Sequence, residues 1–178
     1  MSSLENLVLL DTPNAALIFR AAPYGKGERH RFLRDVVSLA NGRARGTRVI
    51  VIGVDLRPDG SRHLSEVPRE AFSNDTKLQS LVHEFVEPPI KLRLRPVYVS
   101  GMRLGLIELK DCHDKPYMLR ADYSSRLRRG DAWVRRSSGT YRMGRRELEE
   151  IFAEKFRRLD IGQSIDVGFP GDFLAKEL

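Results

Sequence analysis

The sequence holds one cysteine, Cys112, so no internal disulfide framework staples the chain and the fold has to come from a hydrophobic core. Long apolar runs are missing as well. The stretch Leu7-Val8-Leu9-Leu10 and the run from Val49 to Val54 fall far short of the roughly 20 residues that span a bilayer. The opening Met1-Ser2-Ser3-Leu4-Glu5-Asn6 lacks a basic region ahead of its short apolar run, which does not fit a secretory signal. The expectation is therefore a cytoplasmic chain with no membrane partner. Two enzyme signatures are absent: there is no G-x-x-x-x-G-K-[ST] phosphate loop and no G-x-S-x-G nucleophile elbow. Histidine is sparse, and His30, His63, His83 and His113 lie far apart. Lysine is scarce too, with 7 Lys against 24 Arg.

What is present fits an ordinary globular domain. The 178 residues are 41% hydrophobic and 31% charged, enough to bury a core without staples. The formal charge is +7, almost all of it carried by arginine, whose planar fork matches phosphate and stacks on bases. A GC-rich genome produces the same arginine excess with no function attached, so placement carries more weight than the ratio. Between Arg120 and Arg146 stand nine arginines and two acids, Asp122 and Asp131, whereas from Glu147 to the end there are eight acids and four bases. This polarity suggests a domain over residues 1–159 followed by an acidic tail or docking segment over 160–178.

Periodicity predicts a short helix or arm over residues 1–13, a strand over Ala16–Ala21 and a helix over Glu28–Ala40 stopped by Asn41-Gly42. Arg48–Asp55 is a nearly continuous apolar run, as in a strand covered on both faces. Pro58-Asp59-Gly60 is a turn signal. Asn74-Asp75-Thr76 caps a helix carrying Leu78, Leu81, Val82, Phe85 and Val86. Ile90, Leu92 and Leu94 alternate with Lys91, Arg93 and Arg95, giving a half-exposed strand with a basic outer face and Pro96 at a bulge or edge. Ser100-Gly101 turns it into a second strand over Leu104–Lys110. Residues 112–132 are loop-rich, Ala132–Arg135 is a short strand, and a last helix starts near Gly144. The order predicts an α+β fold, a mixed sheet packed with helices.

Two clusters read as decoys. Cys112-His113-Asp114 is adjacent in sequence only, whereas metal ligands must converge. Asp55, Asp59, Gly60 and Glu66 match positions of a calcium-loop template, but Arg57 places a cation where a ligand belongs. The informative segment is Phe32 to Asp55, FLRDVVSLANGRARGTRVIVIGVD: an apolar helix, a glycine turn and a buried strand ending Ile-Gly-Val-Asp. A second is Trp133-Val134-Arg135-Arg136-Ser137-Ser138-Gly139-Thr140, followed by the helix from Arg145. Together these resemble the Schlafen AlbA-2 family of nucleic-acid-binding domains over roughly Ala16 to Phe156. The resemblance implies a Schlafen-like single lobe, and, since Schlafen cores pair two lobes into a clamp, a homodimer. It also implies where a nuclease site would lie: one carboxylate falls on Asp55, the other two near Pro13 and Ile18, where this chain has no acid. Glu28 and Asp35 belong to the next loop and helix and substitute poorly. Loss of metal-dependent RNA cleavage is thus the expectation, with no catalytic residue, metal or cofactor.

Two arginine groups remain as candidate nucleic-acid contacts. Arg43, Arg45 and Arg48 crowd one glycine-rich loop, where like charges repel unless water or an anion screens them. Arg126, Arg128, Arg129, Arg135, Arg136 and Arg142 are interleaved with Tyr123, Trp133 and Tyr141, a mixture suited to holding a backbone and stacking bases, with Trp133 itself expected in the core. The leading reading is a non-catalytic module binding RNA or DNA, part of a bacterial regulatory or defence system. The rivals are a scaffold domain docking an acidic protein partner, a Schlafen-type metal-dependent RNA endonuclease, and a nucleotide hydrolase.

Overall fold

The structure, a computed structural model, describes residues 3–44 and 46–162, with side chains described from Leu4 to Arg157. Its centre is a four-stranded mixed sheet in the order β1-β2-β7-β6, formed by β1 (Leu17–Arg20), β2 (Arg48–Ile52), β6 (Lys91–Val99) and β7 (Met102–Lys110). β1 and β2 are parallel, which requires a crossover, and α2 (Arg29–Asn41) supplies it; the other pairs are antiparallel. The architecture is α+β, as the element order predicts.

Both faces of the sheet are covered. On one, Ile18, Ile50, Leu92, Leu94 and Ile107 meet α2 and α3 (Asp75–Phe85) in the larger core. On the other, Leu17, Val51, Val97 and Leu104 meet Val8 of α1 (Ser3–Leu9) and the hairpin of β3 (Val54–Leu56) and β4 (Arg62–Leu64). α2 is buried from Val36 through Asn41 because it is covered twice. The sheet lies on one side, and on the other lies a hairpin of β9 (Trp133–Arg136) and β10 (Gly139–Arg142). Trp133 is buried in the larger core, as expected.

The predicted strand over Arg48–Asp55 is in fact two. Gly53 adopts φ +96, and a Cβ there would meet the Ser65 carbonyl oxygen at 2.5 Å, so the chain bends and restarts as β3. Short pieces escaped the periodicity: β4, β10, and the pair of β5 (Val86–Glu87) with β8 (Met118–Leu119). α4 (Arg145–Gly162) starts where predicted and runs past residue 159; the acidic segment from 163 onward lies outside the described residues. No helix among the described residues is long and apolar enough to cross a membrane.

Candidate nucleic-acid interface

The site begins at the end of α2. Asn41 is buried and its amide makes three hydrogen bonds: Nδ2 donates to the Tyr117 carbonyl (2.7 Å) and the Trp133 carbonyl (2.9 Å), and Oδ1 accepts from the Tyr117 N–H (2.8 Å). This pins the helix end to β9 and to the loop before β8. The next residue, Gly42, has φ −54, so positive φ is not what it provides. A Cβ would lie 2.4 Å from the Ala15 oxygen, so glycine serves close approach, while Gly46 takes the left-handed turn at φ +78.

Of the three loop arginines, Arg48 points inward. It is buried, and its guanidinium donates to the carbonyls of Gly42 (3.3 Å), Ala44 (3.0 Å) and Gly46 (3.4 Å). It is spent on satisfying its own loop and presents no fork to a ligand. Arg43 points outward and ion-pairs with Glu150 of α4, and Arg45 lies outside the described residues.

The second arginine group divides the same way. Arg135 is buried; its Nε donates to the Asn14 carbonyl (2.7 Å), and burial pushes its guanidinium below the ordinary arginine range. Arg136, next along β9, faces out and pairs with Glu147 of α4. Alternation along a strand sends these neighbours opposite ways. Arg142 pairs with buried Asp131, which also accepts the Arg128 N–H (2.9 Å), while the Arg128 side chain reaches Asp122 (3.0 Å). Arg126 and Arg129, on the loop leading to β9, are exposed; the Arg129 N–H donates to Asp122 (2.8 Å), but neither guanidinium forms an ion pair among the described residues. Of the interleaved aromatics, Tyr141 is exposed, while Tyr123 packs edge-on against Phe85 with centroids 5.0 Å apart.

The two groups therefore meet in part. Arg43, Arg135 and Arg136 line one groove, together with Lys115 and the α4 face of Glu147, Glu150 and Glu154. Arg126 and Arg129 do not line it.

A second, more open cleft was not legible in the sequence. Pro13, Ile18, Arg20, Arg34, Asp35, Arg135 and Thr140 line it. Asp35 is buried and accepts the Tyr24 hydroxyl at 2.8 Å. Burial pushes its carboxyl above the usual carboxylate range, opposed by the Tyr24 hydrogen bond and by Arg20, Arg34 and Arg135. Pro13 and Ile18 are the positions where the family resemblance calls for two carboxylates, and Asp55, the third, is exposed on β3 and does not line this cleft. Arg20 is already paired with Glu28 (3.1 Å), and the donor set does not fit a divalent cation, which needs several oxygen ligands. Among the described residues no three His, Cys, Asp or Glu side chains converge in a metal-binding group. A spacing of 15 residues joins Arg20 to Asp35 through a loop and one helix, so only the fold could reveal their proximity.

A comparison with curated proteins returned no match. Among solved structures, the chain is similar to the solution NMR structure of the N-terminal domain of a Nitrosomonas europaea protein described as related to the ATP-dependent DNA helicase RecG. Identity is 19%, the TM-score is 0.48, and the match covers 72% of this chain and 89% of that one. The family described as Schlafen, AlbA_2 matches residues 19–144, from Phe19 in β1 to Gly144 at the head of α4, and takes in both sequence segments that carry the resemblance. The chain belongs to the Schlafen AlbA_2 family.

Proposed function

We propose that this domain binds a nucleic acid strand without cutting it, gripping the phosphate backbone along the groove of Arg43 and Arg136 and with the free arginines of the loop before β9. One observation carries the reading: a loop after α2 and a strand near the end of the domain, remote in sequence, place arginines in the same groove. Arg45 joins Arg43 as a contact from the same loop. Arg48 and Arg135 act as positioning residues, one holding the loop and the other holding β9 against Asn14. Arg126, Arg129, Arg128 and Arg142 extend the cationic surface, and Tyr141 offers an exposed ring for stacking. The non-catalytic part rests on the missing carboxylates: Asp55 does not line the cleft that holds Asp35.

Fluorescence anisotropy with generic 20-mer RNA and DNA across a sodium chloride series tests this. The logarithm of the affinity should fall linearly with log salt, and Arg43→Ala and Arg136→Ala should each reduce the slope by about one. Binding no tighter than that of a control protein of equal charge defeats the reading. Metal-dependent RNA cleavage abolished by Asp55→Ala defeats the non-catalytic part. The family's two-lobe clamp supports a homodimer of this single lobe, and a monomer by sedimentation at working concentration removes that element alone. Docking of an acidic protein is the rival, favoured by the carboxylates that Arg43 and Arg136 already hold; weak, salt-insensitive oligonucleotide binding selects it.

A further inference from the structure

The helix α4 stands in an unusual relation to the groove. Its described residues from Arg145 to Arg157 include none that is fully buried, and Phe152 and Phe156 are 41% and 61% exposed. What ties it down is largely charge: Glu147 to Arg136, Glu150 to Arg43, and Lys155 to Asp114. Glu147, Glu150, Ile151 and Glu154 recur at helical spacing and all face the groove. At about 1.5 Å of rise per residue, the three glutamates extend roughly 10 Å along the axis, so they form a ladder of anions over the cations below. Exposed pairs of this kind hold weakly, because both partners stay solvated. The family match also ends at Gly144, one residue before α4 begins.

A carboxylate ladder on a lightly packed helix meets the arginines in the way a phosphate backbone would. We propose that α4 is a built-in competitor for the groove: Glu147 and Glu150 occupy Arg136 and Arg43 in place of two phosphates, and the helix lifts away when a strand binds. The proposal rests on the groove being the nucleic-acid site. It gives the acids of α4 a role, tuning affinity and rejecting weak polyanions. A ligand must bring several phosphates at once to displace several glutamates, so short or sparsely charged anions lose to the helix and longer strands win.

The test uses the full chain and a fluorescein-labelled 20-mer of single-stranded RNA. Glu147→Gln, Glu150→Gln and Glu154→Gln are combined; glutamine at 147 preserves the capping bond that the Gly144 N–H donates to this side chain. A variant with the same charge change away from the groove, Glu70→Gln with Glu84→Gln and Glu87→Gln, corrects for net charge. The groove variant should bind about tenfold more tightly than the control variant, and the gain should vanish when Arg43→Ala and Arg136→Ala are added. Hydrogen exchange should show the α4 amides losing protection when RNA binds. Equal affinity of the two glutamine variants, or α4 amides that gain protection on binding, overturns the competitor. If Arg43→Ala and Arg136→Ala leave binding unchanged in every background, the groove itself is not the site and the underlying reading fails instead.

Discussion

At the scale of single residues, burial separates arginines that organise the surface from arginines that constitute it. Arg48 and Arg135 are among the most buried cations, and both are consumed by backbone carbonyls. A guanidinium carries five donors in a rigid fork, so one side chain can close several loop carbonyls at once. The same logic applies to Asn41, whose amide satisfies three buried backbone groups. Asn41→Ala should cost about 3 kcal/mol or more in urea denaturation, because it leaves those groups without partners in a dry site. Glu108 shows a pH-linked contribution. The Arg95 fork, at 3.0 and 3.1 Å, holds its carboxyl below the usual range. A depressed pKa means stability that is fully present above the ordinary carboxylate value and lost as pH falls through the lowered one. Glu108→Gln should therefore reduce neutral-pH stability by about 1 kcal/mol, a figure discounted because Arg95 is partly exposed, and should flatten the acid limb of the stability curve.

At the scale of elements, the sheet ends in β6, whose outer edge is partly closed by side chains of α3. Gln79 accepts from the Leu92 N–H and donates to the Ile90 carbonyl, both at 3.1 Å, and Asp75 accepts from the Leu94 N–H at 2.8 Å. Pro96 then removes a donor further along the edge, in keeping with the edge position its sequence context suggests. Gln79→Ala should lower stability by about 1 kcal/mol and raise the rate of aggregation on heating, read by light scattering. α3 begins at Asp75, as the cap signal implies, yet Asn74 makes no side-chain cap bond. Asp75 is directed at the neighbouring strand, a tertiary use that no local motif encodes. α4 is the opposite case: its start was legible, its loose packing was not. Phe156→Ser should change unfolding stability by less than about 0.5 kcal/mol, since the ring is mostly in water already.

At the scale of the molecule, the basic charge is not a free patch. Most of the outward arginines in the two segments have a carboxylate within reach, and the sequence polarity, basic then acidic, is folded back on itself by α4. Net charge alone therefore overstates the field a ligand meets. The consequence is measurable. The salt slope of oligonucleotide binding should be shallower than a count of nine candidate arginines implies, and Arg48→Ala should reduce stability and binding together, whereas Arg126→Ala should affect binding alone.

The sequence by itself determined the α+β class, the helix-turn-strand from Phe32 to Asp55, the family and the presence of two arginine-dense segments, because those follow from periodicity, glycine placement and residue identity along the chain. Only the tertiary structure decided which arginines face outward, that Gly53 breaks the long strand, that Asp35 shares a cleft with Arg20 and Arg135, and that the acids of α4 lie over the basic groove. Each of these depends on contacts between segments far apart in sequence. A side chain's partner is set by where the packed sheet and helices carry it, and local pattern holds no record of that.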